Sequence, residues 1–147
     1  MLAQDGRLKL DDRIGQYLPG LPAVADNISI RHLLTHTSGL IDYEDVMDPA
    51  DTRQVHDADV LTLLQSQDRT YFAPGTGYRY SNSGYALLAL IVERASGLHY
   101  AQFLHDRIFQ PLGMHDTVAH ESGVSIVANR AYGYSLEHGR WKGTDQS

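Results

Sequence analysis

Residues 83–96 form the segment that most constrains what this chain can fold into. Its apolar side chains fall on one helical stripe and also on the opposite side: Tyr85, Leu88, Ile91, Val92 and Ala95, with Ala86, Leu87, Ala89 and Leu90 behind them. A helix that is apolar around its circumference is normally buried from several sides. The segment is therefore predicted to be the central helix of its domain. Gly97 suits the left-handed position that follows a helix end.

Shorter elements are predicted on either side of that helix from caps and apolar spacing. They are a single helical turn after Asp11 and Asp12 that Pro19 ends, a helix over 30–35 capped by Ser29, a helix over 58–66 capped by Asp57, and a helix over 100–109 ahead of Pro111. Beyond Met114 the helical periodicity fades, and residues 124–127 and 132–136 are predicted as short strands. The 147 residues fit one domain. The expected fold class is mainly α: a single helical domain over 1–147, with short β-strands near its C-terminal end.

Charge and cysteine content exclude several functional classes. Twelve Lys and Arg residues against eighteen Asp and Glu residues give a formal net charge of -6. Nucleic-acid surfaces and polybasic membrane anchors need concentrated positive charge, so neither kind of partner is expected. The chain has no cysteine, which excludes disulfides, thiolate metal sites and cysteine nucleophiles.

Membrane spans and secretion signals are also not expected within these residues. The longest apolar run, residues 85–92, is far below the roughly 20 residues that a span requires. The first residues lack the basic stretch and apolar core of a signal peptide. Localisation is left open: periplasmic or secreted if a signal peptide precedes Met1, and cytoplasmic otherwise.

Four stretches, in this order along the chain, carry a family resemblance. They are residues 6–12 with Tyr17-Leu18-Pro19, residues 28–40 with Leu33-Leu34-Thr35-His36-Thr37-Ser38-Gly39, residues 74–85 with Tyr80-Ser81-Asn82, and residues 108–114 ahead of Thr117. Each is weak alone, but together they make the chain similar to the serine beta-lactamase-like, penicillin-binding-type hydrolases, which include class C beta-lactamases, DD-peptidases and esterases. The resemblance implies the helical domain that is inserted into the family's α/β sandwich, and it implies no cofactor.

The resemblance implies two site residues, Tyr80 and Asn82, which match the family's tyrosine–x–asparagine motif. The family transfers an acyl group to a serine in a Ser-x-x-Lys motif, and a serine hydroxyl is a poor nucleophile until a base takes its proton. A free tyrosine, with a pKa of about 10, is seldom a phenolate at neutral pH unless a cation such as a lysine ammonium lies beside it. With that partner, Tyr80 is expected to be the catalytic base or proton relay. The amide of Asn82, which both donates and accepts, is expected to bind the substrate.

Two other family motifs are absent from the sequence. No serine has a lysine three residues later, and Lys142-Gly143-Thr144 has the wrong order for a Lys-Thr-Gly strand. The Ser-x-x-Lys helix is expected before Met1 and the third motif after Ser147, so the chain is interpreted as an internal fragment from which most of the α/β sandwich is missing. We expect the fragment alone to be inactive and to self-associate through the face left by the missing domain. The parent's substrate is expected to be an amide or ester: a β-lactam, a D-alanyl peptide or a small ester.

Plainer interpretations of the same residues stay open. Ser81 or Asn82 is a good N-cap, so the motif can equally be the turn that starts the long helix. The whole chain can be a stand-alone helical binding or interaction module without catalysis. A Ser-x-x-Lys motif in the reading frame before Met1 separates this alternative from the enzyme.

Metal binding is weighed at two places. His32 and His36 have the i, i+4 spacing of a helical zinc pair, but the glutamate that the metalloprotease pattern places directly after the first histidine is absent. A packed or turn-stabilising histidine is favoured, and no metal site is predicted. The acidic residues between Asp42 and Asp51 lack the alternation and glycine of a calcium loop, so they are interpreted as a solvated loop.

Aromatic residues are concentrated around the tyrosine–x–asparagine motif. They fit either the wall of a substrate cleft or internal packing: Tyr71, Phe72, Tyr78, Tyr80 and Tyr85.

Overall fold

A computed structural model describes residues 1–48, 53–121 and 123–144, which divide into two compact units at Tyr100. The first unit, Met1–Tyr100, contains α1 (Ile30–Leu34), α2 (Asp57–Gln65) and α3 (Asn82–Ser96). Single 3₁₀ turns lie at Ile14–Gln16, Ala23–Ala25 and Tyr43–Asp45. A last short helix, α4 (Tyr100–Leu104), runs on into a π-helical turn, His105–Phe109. The prediction of one helix over 100–109 therefore covers two helical forms in succession.

The second unit, Ala101–Ser147, contains an antiparallel hairpin of β1 (Tyr134–Glu137) and β2 (Arg140–Gly143). His138 and Gly139 join the strands with φ values of 50° and 75°, and two left-handed residues in succession are typical of the tightest hairpin turns. β1 begins two residues and ends one residue later than the predicted strand over 132–136, the predicted strand over 124–127 is wrong, and β2 was not predicted. The turn, which has no strong sequence signal, sets this pairing.

The core of the first unit is a cluster of buried aliphatic side chains. The three helices contribute Ile30 and Leu33 from α1, Val60 and Leu64 from α2, and Leu87 and Ile91 from α3. Helix α3 contacts both α1 and α2. Gly84 faces α1, where an added Cβ atom would lie 3.6 Å from the Leu33 carbonyl oxygen, an ordinary van der Waals distance. The start of α3 therefore packs directly against the end of α1.

The prediction that α3 is buried from several sides is confirmed only in part: Ala86, Leu88 and Leu90 pack against the core beside its buried residues, but other apolar residues of the helix are exposed. Its buried residues, Ser83, Gly84, Leu87 and Ile91, lie on a single face because they repeat at intervals of three and four. Tyr85, on the predicted apolar stripe, is 51% exposed. The helix therefore covers α1 and α2 with one face, and the aromatic side chains near its start are left at the surface.

Two predicted helix ends are confirmed and one is wrong. The Ser29 hydroxyl accepts the His32 N–H at 3.2 Å and caps α1, and Gly97 ends α3 with a φ of 78°. Asp57, predicted as the cap of α2, is its first residue, and the preceding His56 is the N-cap. The Asp59 carboxylate accepts the N–H of His56 at 3.0 Å and so closes that end. Burial, followed by the negative charge of Glu93, raises the pKa of Asp57.

Candidate active site

Tyr80 lies in the extended segment that leads directly into α3. The next residue, Ser81, is the N-cap of the helix, and its hydroxyl accepts the Gly84 N–H at 3.1 Å. Ser81 is buried, whereas Tyr80 is 62% exposed. The helix-cap interpretation of this motif is therefore confirmed at Ser81, and Asn82 is the first helical residue. A capped helix start is a rigid place from which to present a side chain, so the cap is compatible with a catalytic Tyr80.

Three exposed tyrosines surround the ring of His36. The ring centroid lies 4.7 Å from that of Tyr80 and 5.1 Å from that of Tyr85, with interplanar angles of 35° and 29°. Tyr78 meets it edge-on at 6.0 Å. The Nδ1 atom of His36 accepts the backbone N–H of Ser81 at 3.2 Å. His36 thus contacts the predicted catalytic tyrosine by its ring and the following residue by its nitrogen.

The backbone and side chain of Asn82 are both held by carboxylates. Its backbone N–H donates to Asp42 Oδ2 at 2.7 Å, and its side-chain Nδ2 donates to Glu44 Oε1 at 2.9 Å. Because an ionised carboxylate only accepts, the contact with Glu44 fixes which way the amide faces. Among the described residues, nothing donates to the Asn82 Oδ1 atom. The amide is oriented and keeps an unused acceptor.

The segment that holds Asp42 and His36 lies alongside residues 70–79. Three backbone hydrogen bonds join them, from Arg79 N–H to the His36 carbonyl at 3.0 Å, from Gly75 N–H to the Thr37 carbonyl at 2.8 Å, and from Tyr71 N–H to the Gly39 carbonyl at 2.7 Å. Gly39 has a φ of +72°, and a Cβ atom there would lie 2.0 Å from the Phe72 carbonyl oxygen. The two segments approach so closely that only glycine fits at this position.

A second polar cluster joins the same two segments. The Tyr71 hydroxyl donates to Asp45 Oδ2 and accepts the Asp42 N–H at 3.1 Å. Arg79 donates to the same Asp45 oxygen at 2.8 Å, and its guanidinium carbon lies 3.9 Å from the centroid of the Tyr71 ring. Burial, followed by the hydrogen bond to Asp45, raises the pKa of the Tyr71 phenol. This cluster fixes the 3₁₀ turn at Tyr43–Asp45, which carries Glu44 toward Asn82.

The interpretation of the acidic run as a solvated loop is wrong at Asp42, whereas Glu44, Asp45 and Asp48 are exposed. Asp42 is 8% exposed, and its carboxylate binds the start of α3. Asp45 is bound by Tyr71 and Arg79. Asp51, at the other end of the run, lies outside the described residues. Long-range hydrogen bonds of this kind leave no local pattern in the sequence, so they were not predicted.

The five aromatic residues divide between exposed and packed positions. Tyr78 and Tyr80 are 69% and 62% exposed, and Tyr85 is 51% exposed. Phe72, by contrast, is in close contact with the backbone of Gly39 and Gly77, where an added Cβ atom would lie 3.1 to 3.2 Å from its ring. The exposed members are those that contact His36.

His32 has a structural role that explains its spacing from His36. Its Nδ1 atom accepts the Ser29 N–H at 3.3 Å and completes the capping box of α1. Across residues 1–48, 53–121 and 123–144, no three or more His, Asp or Glu side chains are grouped so that they could hold a metal ion. In the same part of the chain, the helices are too short or too polar to cross a membrane.

The site presents the phenol of Tyr80 and the amide of Asn82. Its two serines, Ser81 and Ser83, already bind backbone N–H groups through their hydroxyls. The hydroxyl of Tyr80 makes no hydrogen bond to any described residue. Ser81 and Ser83 are both buried, and the Ser83 hydroxyl accepts the Tyr43 N–H at 2.7 Å. Neither serine has the exposure that a nucleophile needs. The sequence predicted Tyr80 and Asn82 for this site but missed His36, Asp42 and Glu44.

Comparison with known proteins shows the family and the fold to which the chain is similar. The beta-lactamase family model matches residues 1–146. Penicillin-binding protein 4* of Bacillus subtilis is 39% identical over 139 residues, which are 91% of this chain and 30% of that protein. The crystal structure of a penicillin-binding protein from Bacillus halodurans superposes with a TM-score of 0.81 at 34% identity, over 97% of this chain and 44% of that one. An octameric penicillin-binding protein homologue from Pyrococcus abyssi gives a TM-score of 0.82 at 26% identity, over 98% and 35% of the two chains.

The match extends over nearly the whole chain but over a minor part of each relative. The chain spans 30% of the Bacillus subtilis protein and 44% of the Bacillus halodurans chain. It has the helices and the small two-stranded sheet of a partial beta-lactamase-like fold. On this sequence match and this fold, the chain belongs to the beta-lactamase family of penicillin-binding-type serine hydrolases.

Proposed function

We propose that the chain is the tyrosine-bearing part of a serine hydrolase that acts on an amide or ester through an acyl-enzyme. The substrate is a β-lactam, a D-alanyl peptide or a small ester. In this proposal the nucleophilic serine, its lysine and most of the α/β sandwich come from residues outside these 147. The 147-residue chain by itself is then inactive.

Tyr80 is the catalytic base or proton relay of the proposed reaction. As the serine oxygen bonds to the substrate carbonyl carbon, the phenolate of Tyr80 takes the serine proton, and the proton passes to the nitrogen or oxygen that leaves. The observation that carries this role is the 62% exposed Tyr80 side chain, whose hydroxyl has no partner in the described chain and whose ring is packed against His36. Tyr78 is exposed in a similar way, and the match of Tyr80 to the family motif is what selects it as the base.

Asn82 positions the substrate in the proposed reaction. Its Nδ2 atom is bound to Glu44 at 2.9 Å, which turns Oδ1 and the second amide hydrogen to other partners. An acyl substrate with an amide N–H can donate to that oxygen. Because Asn82 moves no proton in this scheme, its loss is expected to weaken acylation less than the loss of Tyr80, and by an amount that depends on the substrate.

The proposal is tested with a fluorescent penicillin on the natural full-length protein and on the 147-residue chain. Tyr80→Phe in the full-length protein should slow acylation about a hundredfold to ten-thousandfold, the usual effect of removing a general base. Tyr78→Phe is the matched control, because Tyr78 is 69% exposed and also meets His36, but only by its edge. The 147-residue chain should not be labelled.

Two outcomes would overturn the proposal. One is wild-type acylation by a folded Tyr80→Phe variant, which would leave Tyr80 with a structural role only. The other is stoichiometric labelling of the 147-residue chain, seen as a mass shift in the intact protein, which would show a nucleophile within these residues. A natural protein with no Ser-x-x-Lys motif and no labelling would favour the binding-module alternative.

Self-association of the 147-residue chain is the second part of the proposal. Tyr78, Tyr80 and Tyr85 are exposed together at the start of α3, and monomers seldom leave a large apolar patch in water. The Pyrococcus abyssi relative is octameric. A closed two-fold dimer, in which this tyrosine face covers itself, is the commonest way to hide such a patch.

A further inference from the structure

His36 adopts a backbone conformation that its residue type seldom takes. Its φ is +56°, in the left-handed region. Glycine enters this region freely, whereas a residue with a Cβ atom does so at some cost in stability. Histidine is among the less disfavoured residue types there, but glycine would satisfy the turn better. His138 has a similar φ of 50° in the hairpin turn, so the role of the His36 side chain depends on its contacts and not on this backbone angle.

Two hydrogen bonds connect His36 to the residues on either side of Tyr80. The His36 carbonyl accepts the Arg79 N–H at 3.0 Å, and its Nδ1 atom accepts the Ser81 N–H at 3.2 Å. An Nδ1 atom that accepts a hydrogen bond carries no proton, so in the neutral ring the proton is on Nε2. The backbone on both sides of Tyr80 is therefore bound to one residue, 43 to 45 positions earlier in the chain.

The third contact is with the tyrosine itself. The rings of His36 and Tyr80 lie 4.7 Å apart at 35°, and Tyr85 packs against the same histidine at 5.1 Å and 29°. The Tyr85 hydroxyl in turn donates to the Leu34 carbonyl at 3.3 Å. Besides the edge contact with Tyr78, the ring of His36 thus packs more nearly face to face against two tyrosines, and Tyr85 is fixed to the end of α1. This arrangement limits the directions in which the Tyr80 phenol can point.

We propose that His36 is a positioning residue for Tyr80, which it holds by two backbone hydrogen bonds and one ring contact. The inference rests on the proposed function, in which Tyr80 is the base. His36 touches neither substrate nor the reacting serine in this scheme, and it acts only through the phenol. Misplacement of a catalytic group by about 1 Å can slow a reaction roughly a hundredfold, so loss of the ring contact should have a large effect on the acylation rate.

The test uses three His36 variants that separate backbone, acceptor and ring. His36→Asn keeps a residue that tolerates the left-handed region and keeps an acceptor near the Nδ1 position, but it removes the ring. His36→Phe keeps a ring and removes the acceptor. His36→Gly removes both the acceptor and the ring but keeps the carbonyl that binds Arg79, and it needs no side chain in the left-handed region, so it is the variant expected to fold if the other two are unstable. The matched control is His32→Asn, because His32 also accepts a backbone N–H through Nδ1 but makes no ring contact with Tyr80.

The measurement is acylation of the natural full-length protein by a fluorescent penicillin, resolved into a dissociation constant and a rate constant. His36→Asn and His36→Gly should lower the rate constant roughly tenfold to a hundredfold and leave the dissociation constant nearly unchanged. His32→Asn should change neither. In a Tyr80→Phe background, the His36 substitutions should have little further effect, because there is no phenol left to position.

The outcomes distinguish this inference from the proposed function. If Tyr80→Phe has no effect, the proposed function fails. If Tyr80→Phe slows acylation while His36→Asn and His36→Gly, both folded, do not, only the positioning role is overturned. Effects of His36 and Tyr80 that multiply in the double variant would also overturn it, since they would show that His36 acts on the fold rather than through Tyr80.

Discussion

The carboxylate of Asp42 accepts the backbone N–H of Asn82 at 2.7 Å across 40 residues of chain. The first N–H groups of a helix have no partner within the helix, and its N-terminus favours a negative charge. Asp42 supplies both an acceptor and a charge at the start of α3 from a separate loop. With Ser81 capping the same helix, two residues bind the backbone directly after Tyr80.

Asp42→Ala should lower the free energy of unfolding by about 1.5–3 kcal/mol, the usual contribution of a hydrogen bond to a charged group. Asp42 is only 8% exposed, so water cannot fully replace the lost carboxylate. Asp68→Ala is the control, because Asp68 is exposed and should change stability by less than about 0.5 kcal/mol. Urea unfolding of the two variants measures the difference. Equal stability would contradict the capping role of Asp42.

Gly39→Ala should destabilise the chain more than Gly6→Ala. Both glycines have a φ near +70°, so both substitutions carry the cost of a left-handed alanine. An added Cβ atom meets nothing within 4 Å at Gly6, but at Gly39 it would lie 2.0 Å from the Phe72 carbonyl oxygen. Forcing the two segments apart should cost about 1–3 kcal/mol more. Thermal or urea unfolding measures the stability of both variants. If Gly39→Ala loses no more stability than Gly6→Ala, the close contact between Gly39 and the Phe72 carbonyl is excluded.

Tyr17 should be among the last tyrosines to ionise as the pH rises. Burial, followed by the hydrogen bond from its hydroxyl to Asp12 Oδ2 at 2.8 Å, raises the pKa of Tyr17 to about 12. The folded state therefore keeps a proton that the unfolded state releases near pH 10, and the stability linked to Tyr17 is lost between about pH 10 and 12. Tyrosinate absorbance in the wild type and in Tyr17→Phe checks this. In the Tyr17→Phe variant, the rise in tyrosinate absorbance near pH 12 should be smaller than in the wild type, and the rise at lower pH should be unchanged. A smaller rise at lower pH instead would contradict the raised pKa of Tyr17.

The 147-residue chain should self-associate at micromolar concentration in sedimentation equilibrium. Tyr78→Glu, which places a charge on the tyrosine face, should shift the chain toward monomer. Leu98→Glu is the control, because Leu98 is 39% exposed but lies beyond the other end of the 15-residue helix α3, about 20 Å away. A wild-type chain that is monomeric and binds no hydrophobic dye would remove the case for association through this face.

The parts of the fold that sequence could predict are those set by neighbouring residues. Ser29 caps the start of α1 and Gly97 ends α3 through contacts within a few positions, and both were predicted. The contact of Asp42 with Asn82 and that of His36 with Ser81 span 40 and 45 residues, and neither leaves a periodic pattern. Tyr80 and Asn82 were predicted by resemblance to a family motif, whereas the residues that hold them depend on how two loops pack. The burial of α3 was predicted only in part, because apolar composition does not tell which face a helix turns to its neighbours.

The long separation between His36 and Ser81 has a consequence for how the site is acquired during folding. Helix α3 can begin to form from local contacts, but Tyr80 reaches its position only after a 45-residue loop has closed. The entropy of closing a flexible loop grows only with the logarithm of its length, so ten further residues in this connection would add about 0.2 kcal/mol. An insertion that leaves α2 and the contacts of Asp42 and Tyr71 intact should therefore cost little stability and leave the tyrosine in place. During folding, helix α3 should consequently form first, and the contacts between His36 and Ser81 that place Tyr80 should form more slowly.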